Sequence, residues 1–194
     1  MMKLIIASNN EHKIKEIKEI LGDEFSEVLS MKEAGIDLDV LEDGKTFEEN
    51  AAKKAHAVLS SSDADAALAD DSGLIVDALN GAPGIYSARF AGDEHNDVKN
   101  NEKLLKLMEN IDDDVRTARF ACAMVLARPN MKDMISVGFC EGKILREEIG
   151  DNGFGYDPLF FHEGYGRSFA ELTSEEKNKV SHRRIALNGL KDQL

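Results

Sequence analysis

Positive charge is in short supply: 24 Lys and Arg stand against 37 Asp and Glu in 194 residues, a formal net charge of -13. A surplus of that sign disfavours long-range attraction to a polyanion, so no nucleic-acid partner is expected. A small anionic ligand stays open. A few local cations and a divalent metal outweigh a distant net charge inside a narrow cleft. Cysteine is scarcer still. Cys122 and Cys140 each lie in an apolar stretch without a Cys or His at metal-ligand spacing, and read as two buried thiols. Long hydrophobic runs are absent as well. The opening MMKLIIASNN is too short in its apolar part for a secretory signal, and no window approaches the roughly 18 apolar residues of a membrane span. The expectation is a cytoplasmic protein with no membrane partner. Repeats, linkers and low-complexity segments are also missing. With 42% hydrophobic residues, the chain suffices for one core, or for one sheet divided into two lobes around a cleft, so a single domain over residues 1–194 is expected.

Residues 3–7 form a short β-type run that ends at the polar loop Ser8, Asn9, Asn10, Glu11 and His12. Beyond it Ile14, Ile17, Ile20 and Leu21 recur at helical spacing. Residues 47–59 repeat Phe47, Ala51, Ala55 and Leu59 every four positions and follow an acidic turn that carries Glu42. Residues 66–69 and 74–79 read as two strands flanking Asp70-Asp71-Ser72-Gly73, which puts the two carboxylates at a strand end. Residues 97–108 read as a helix, and residues 119–127 and 135–139 as strands, with residues 142–149 able to pair with the latter as a hairpin. A glycine-rich loop at 150–158 precedes the apolar strand 159–161. Thr173 and Glu176 make a capping box that opens the C-terminal helical region. Strands mixed with helices indicate an α/β or α+β architecture.

Five stretches carry chemistry. Ser8 to Lys13 lies between a strand and a helix, a placement that aims backbone N–H groups, side-chain amides and the Lys13 ammonium at one point, as a phosphate requires; the same residues also suit an ordinary Asn turn. The two glycines and the Lys-Ser/Thr pair of a P-loop are missing. Asp70 and Asp71 supply the carboxylate oxygens that a hard cation such as Mg²⁺ takes together with waters and substrate phosphate, although the same dipeptide equally suits an ordinary solvated turn. Neighbouring strand residues point to opposite faces, so only one of the two should face a cleft, and Asp70 is expected to turn away from it. Glu42, Glu49, Asn50 and Lys54 gather carboxylates, an amide and an ammonium that could jointly hold metal and polyphosphate, or could form a solvated helix face. In Gly153-Phe154-Gly155-Tyr156-Asp157-Pro158, glycine lets backbone approach a planar ligand while the aromatics stack and Asp157 accepts hydrogen bonds from a base; the same residues equally suit a tight loop whose aromatics plug the core. Lys177 and Arg183 lie about 600° apart on an unbroken helix, on different faces. Serving one ligand together requires a helix interruption between Asn178 and Ser181, with Ser181 capping the helix that follows; otherwise these residues form a basic, solvated helix surface.

Together and in this order, ASNNEHK at residues 7–13, TFEENAAKKA at 46–55, ADDSGLIVDALNGAPGIYSAR at 69–89, GFGYDPLF at 153–160 and ELTSEEKNKVSHR at 171–183 carry a resemblance along nearly the whole chain. The chain resembles the inosine triphosphatase, or XTP/dITP pyrophosphatase, family. The resemblance implies an elongated mixed β-sheet flanked by helices, two lobes around a deep cleft, and a homodimer. It implies hydrolysis of the non-canonical purine nucleotides ITP, dITP and XTP to monophosphate and pyrophosphate, with Mg²⁺ as cofactor. By the same resemblance Ser8, Asn9, Asn10, Glu11, His12, Lys13, Lys54, Lys177 and Arg183 bind the triphosphate. Glu42 and Asp71 hold the metal, with Glu49 competing for the place of Glu42. Asp71 is also the catalytic carboxylate that activates water, and Ser72 touches substrate beside it. Phe154, Gly155, Tyr156, Asp157 and His182 form the base pocket. Many relatives carry Thr-Gly-Asn where this chain has Ser8-Asn9-Asn10; Asn tolerates the left-handed backbone that Gly allows but adds a side chain near the phosphates. Two rival readings are a Maf-like pyrophosphatase for modified pyrimidine nucleotides and a non-catalytic nucleotide-binding module.

Overall fold

In a computed structural model, residues 2–92 and 95–194 are described, with the side chain of His12 left outside the description. The chain opens as strand, helix, strand: β1 (Lys3–Ile6), α1 (Glu11–Leu21) and β2 (Glu27–Ser30), with β2 parallel to β1. Helix α2 (Phe47–Ser60) then leads to β3 (Ala66–Val76), which runs parallel to the other side of β1. Next come α3 (Asp97–Leu107), β4 (Thr117–Ala127) and β5 (Met134–Ile144). After the glycine-rich loop the antiparallel strands β6 (Phe160–His162) and β7 (Arg167–Ser168) precede α4 (Ser174–Val180) and α5 (His182–Lys191). The result is a mixed seven-stranded sheet in the order β2-β1-β3-β4-β5-β6-β7, with helices.

The chain divides into two compact units. One comprises residues 1–71, 122–138 and 183–194, the other residues 72–121 and 139–182. In the first unit strand alternation sorts the core into two layers. Leu4, Ile6, Ala66, Leu68, Cys122 and Met124 pack on one face of the strands with Ile17 and Leu21 of α1 and Leu187 and Leu190 of α5. Ile5, Ala7, Ala67, Ala69, Val125 and Ala127 pack on the other with Ala51, Ala55 and Val58 of α2. The second unit has its own core, in which Phe120, Phe160 and Phe169 form a ring cluster with centroids 4.6 to 5.8 Å apart.

Several boundaries differ from the sequence reading, each for a physical reason. Residues 66–69 and 74–76 are one continuous strand, so Asp70 and Asp71 lie inside β3, not at its end. Asp, Ser and Gly disfavour strands, but the neighbouring strands on either side override that preference. Residues 77–79 leave the strand as a 3-10 turn closed by Asn80 in the left-handed conformation, φ 54°. The proposed hairpin at 142–149 does not form; residues 142–144 complete β5, which pairs with β6 through Lys143 and Phe161. In the sequence reading Gly142 opens the second arm of that hairpin. A β-carbon there would stand 2.5 Å from the Phe161 carbonyl and 2.6 Å from the Phe160 ring, so glycine marks a close approach and not a break.

One buried cation fastens the second unit. Arg116, 3% exposed, donates from Nε to the Ile144 carbonyl at 2.7 Å, from Nη1 to Met108 at 2.6 Å and from Nη2 to Leu145 at 2.7 Å. Arg116→Met keeps much of the apolar stem but takes a donor from three carbonyls, of which Met108 still accepts from the Ile111 N–H at 3.1 Å. Each buried unsatisfied group costs about 1 to 3 kcal/mol, so a loss of about 2 kcal/mol or more in urea unfolding is expected. A midpoint within experimental error of the parent would show that water replaces the guanidinium freely.

Candidate active site

In the first unit Ser8, Asn9, Asn10, Lys13, Glu42, Lys54 and Asp70, among others, line a cavity of about 290 Å³. The loop at the end of β1 supplies the first three. Asn10 caps α1: its Oδ1 accepts from the Lys13 N–H at 3.2 Å and its carbonyl from the Ile14 N–H at 3.0 Å. Ser8 Oγ in turn accepts from the Asn10 N–H at 3.1 Å. Part of this polar loop is therefore spent on the helix start, as an ordinary Asn turn would spend it. Glu11 is exposed and lines a neighbouring groove with Ile14 and Lys18. The expected role of His12 falls on a side chain outside the described residues.

Alternation along β3 puts the paired aspartates on opposite faces. Asp71 faces the α2 layer, where its Oδ2 accepts from Asn50 Nδ2 at 3.0 Å and its Oδ1 lies 3.9 Å from Lys54 Nζ. The same ammonium donates to Glu42 Oε1 at 3.1 Å, so Lys54 joins two carboxylates. Burial pushes the Asp71 carboxyl above its ordinary value, and Glu42 and Asp70 add to the rise against the opposing pull of Lys54 and Asn50. Asn50 is fixed by a second bond, its Oδ1 accepting from the Gly44 N–H at 2.8 Å. Of the two carboxylates that competed for a place beside Asp71, Glu42 is the one joined to it through Lys54. Glu49 is exposed and accepts from the Lys45 N–H at 2.7 Å, next to the Thr46 cap of α2.

Asp70 turns to the other layer, as alternation requires, but contrary to expectation this does not take it away from the cavity, because Asp70 is itself among the lining residues. Its Oδ2 accepts from Lys13 Nζ at 2.7 Å and lies 3.6 Å from Arg183 Nε, while Arg183 Nη1 stands 3.7 Å from Glu16 Oε2. Burial acts to raise the Asp70 carboxyl, yet Lys13, Arg183 and Lys54 outweigh it and hold the group below its ordinary value. Glu16 is pushed up by burial, with Arg183 opposing. Sequence reasoning missed Glu16 and misjudged Asp70, because pairings as distant in the chain as Glu16 with Arg183 and Lys13 with Asp70 leave no periodic trace.

The second unit holds the aromatic and basic candidates. Asp157, 2% exposed, accepts at Oδ2 from the Phe154 N–H at 2.9 Å and from the Lys177 ammonium. Gly153, at φ +81°, leaves the room that this carboxylate occupies. Lys177 also lies over the exposed Phe154 ring, 4.7 Å from its centroid, so it belongs with the aromatic loop. Gly155, at φ +60°, donates its N–H to Asp97 Oδ2 at 2.9 Å. Tyr156 is buried and its hydroxyl donates to the Ser87 carbonyl at 2.8 Å, so this ring is core and not an open stacking surface. His182 is buried and stacks on Phe120, centroids 5.0 Å apart. Ser72 follows Asp71 in β3, half-buried. The expected helix interruption is present: α4 ends at Val180, Ser181 is extended at φ -65° and ψ 145°, and α5 begins at His182.

A family model described as the Ham1 family matches residues 4–193. A dITP/XTP pyrophosphatase from Clostridium perfringens is 56% identical over all of this chain and 98% of its own length. One from Desulforamulus reducens is 52% identical over 96% of this chain and 92% of its own. Among solved structures, the Staphylococcus aureus Ham1 protein superposes with a TM-score of 0.90 at 42% identity, covering 98% of this chain and 97% of its own. A HAM1 protein from Coxiella burnetii gives 0.89 at 39% identity, covering 100% and 98%.

Proposed function

The chain belongs to the Ham1 family, and from that premise we propose that it hydrolyses non-canonical purine nucleoside triphosphates, ITP, dITP and XTP, to the monophosphate and pyrophosphate. The observation that carries this reading is the cavity that brings Ser8, Asn9, Asn10, Lys13, Glu42 and Lys54 together, with Lys54 reaching on to Asp71. Cations beside carboxylates suit a polyphosphate that arrives with a divalent metal. Glu42 and Asp71 offer the hard oxygen donors such a metal takes, and Mg²⁺ is the proposed cofactor. When bound, it withdraws charge from the phosphate oxygens and from the departing pyrophosphate.

Asp71 accepts a proton from water, whose oxygen forms a bond to the α-phosphorus as the α–β anhydride breaks. Its raised proton affinity suits that role. Lys13, Lys54, Lys177 and Arg183, with the loop from Ser8 to Lys13, hold the triphosphate. Ser72 touches substrate beside Asp71. Phe154, Gly155, Asp157 and His182 are proposed to form the base pocket, with Tyr156 anchoring the loop from the core side through its bond to Ser87, and a backbone donor meets the 6-carbonyl of inosine or xanthine there. The enzyme is proposed to work in the cytoplasm as a homodimer, and the surplus of negative charge keeps it from nucleic acid.

A panel of nucleoside triphosphates assayed for pyrophosphate release with Mg²⁺ tests the reading. An adenine 6-amino group would leave two donors facing each other, a mismatch of about 1 to 3 kcal/mol, so kcat/KM for ITP should exceed that for ATP by about 10-fold to 100-fold. Preference for UTP would move the protein to the pyrimidine nucleotides. No pyrophosphate from any nucleotide would leave only a binding role.

A further inference from the structure

Nothing assigned from the sequence gives Asp70 a task, yet it is the most enclosed carboxylate of its cluster, with a side chain 2% exposed. Its Oδ2 is shared. Lys13 Nζ, on a side chain 20% exposed, lies 2.7 Å from it, and Arg183 Nε, on a side chain 10% exposed, lies 3.6 Å from the same oxygen. Three elements meet there: the first turn of α1, the middle of β3 and the start of α5. Two cations drawn so far out of water repel one another and lose hydration, and neither holds a fixed direction without a counter-ion. Glu16, beside Arg183, makes the group of four neutral.

We propose that Asp70 is a positioning residue for phosphate binding: one buried carboxylate oxygen holds the Lys13 ammonium and the Arg183 guanidinium in place, so that Lys13 is presented to the cavity already ordered. This role rests on the triphosphate reading given above. The chemistry of the ammonium allows it. Lys has three N–H donors, and the bond to Asp70 uses one, which leaves donors for a phosphate oxygen on the cavity side. A strand supplies the anchor, so its place is set by the sheet and does not follow loop motion. Ordering the cation before the ligand arrives removes an entropic cost from binding.

A competing role has the opposite sign. An anion that merely occupies Lys13 until phosphate displaces it would weaken triphosphate binding, and its removal would tighten it. The test therefore measures sign and coupling. Asp70→Asn, Asp70→Glu, Lys13→Met and the double variant Lys13→Met with Asp70→Asn are compared by thermal melting, by calorimetric binding of inorganic tripolyphosphate, and by KM and kcat for ITP. Asp70→Asn should weaken tripolyphosphate binding and raise the KM for ITP by about 10-fold, the worth of one ordered charge-assisted bond, with a smaller change in kcat. The double variant should bind tripolyphosphate more tightly than the product of the two single losses predicts, because the carboxylate acts through the ammonium. Asp70→Glu should recover part of the affinity. In an active parent protein, tighter binding in Asp70→Asn, strictly additive losses, or a lowered melting temperature with unchanged affinity and KM would each overturn this role alone. A parent that neither binds tripolyphosphate nor releases pyrophosphate from ITP would overturn the proposed function together with it.

Discussion

Asp71→Asn is expected to lower ITP turnover by at least about 100-fold while leaving the fold as stable as the parent at neutral pH, or more so. The loss follows from the proposed proton acceptor, since general-base assistance contributes about 10²-fold to 10⁴-fold and disturbed metal placement adds to it. The stability half follows from burial. Asp71 is 8% exposed, and desolvation raises its carboxyl above the ordinary 3.8 despite Lys54 and Asn50. A carboxyl raised in the folded state contributes stability fully below the ordinary value and loses it as pH climbs through the raised one, so at pH 7 the ionised group is a standing penalty. Asn removes the charge, and its Oδ1 can still accept from Asn50 Nδ2. Asp70 runs the other way: its lowered carboxyl adds stability above the ordinary value that disappears on acidification. Asp70→Asn should therefore melt lower than the parent at pH 7. Turnover of both variants at saturating Mg²⁺, with melting curves recorded in the absence of metal, whose binding would itself stabilise the parent, decides the matter. Near-normal turnover in Asp71→Asn beside a collapse in Asp70→Asn would show that the two carboxylates had been assigned in reverse.

What could be read from the chain was whatever it states locally. The β1 strand, the helical spacing of α1 and α2, the Thr173 and Glu176 capping box and the break at Ser181 all follow from periodicity or from one cap, and all are present. Alternation along Asp70 and Asp71 was legible too, and correctly sent the two side chains to different layers. What occupied those layers was not. Lys13 lies 57 residues before Asp70 in the chain, and Arg183 lies on a helix at the far end, so only the packed sheet reveals that they share an oxygen. The continuity of β3 and β5 was hidden for the same reason. Gly73 reads as a turn former in isolation, and residues 135–139 and 142–149 as the two arms of a hairpin, but neighbouring strands decide otherwise. Tyr156 shows the limit of residue type as a signal: an aromatic in a glycine-rich loop suits a base platform or a plug for the core, and only its hydroxyl, bonded inward to Ser87, decides for the core.

Lys54→Met should move two affinities in opposite directions. Lys54 Nζ is bonded to Glu42 and stands 3.9 Å from Asp71, on a side chain 16% exposed, so its charge screens two carboxylates from each other. Met fills much the same volume without the charge. The carboxylates then lack their shared counter-ion, and a divalent cation is the ligand that best relieves the excess, so Mn²⁺ used as a probe in the absence of nucleotide should bind more tightly than to the parent. A triphosphate loses a charge-assisted donor worth about 1.5 to 3 kcal/mol, so inorganic tripolyphosphate without metal should bind about 10-fold to 100-fold more weakly. Lys54→Arg keeps the charge and serves as the control, with both affinities near the parent. Free Mn²⁺ measured by electron paramagnetic resonance and tripolyphosphate binding by calorimetry supply the two readings. Weaker Mn²⁺ binding in Lys54→Met, in a variant with an unchanged melting temperature, would mean that Glu42 and Asp71 do not converge on a common cation, and the metal would have to be sought among other oxygens of the cavity.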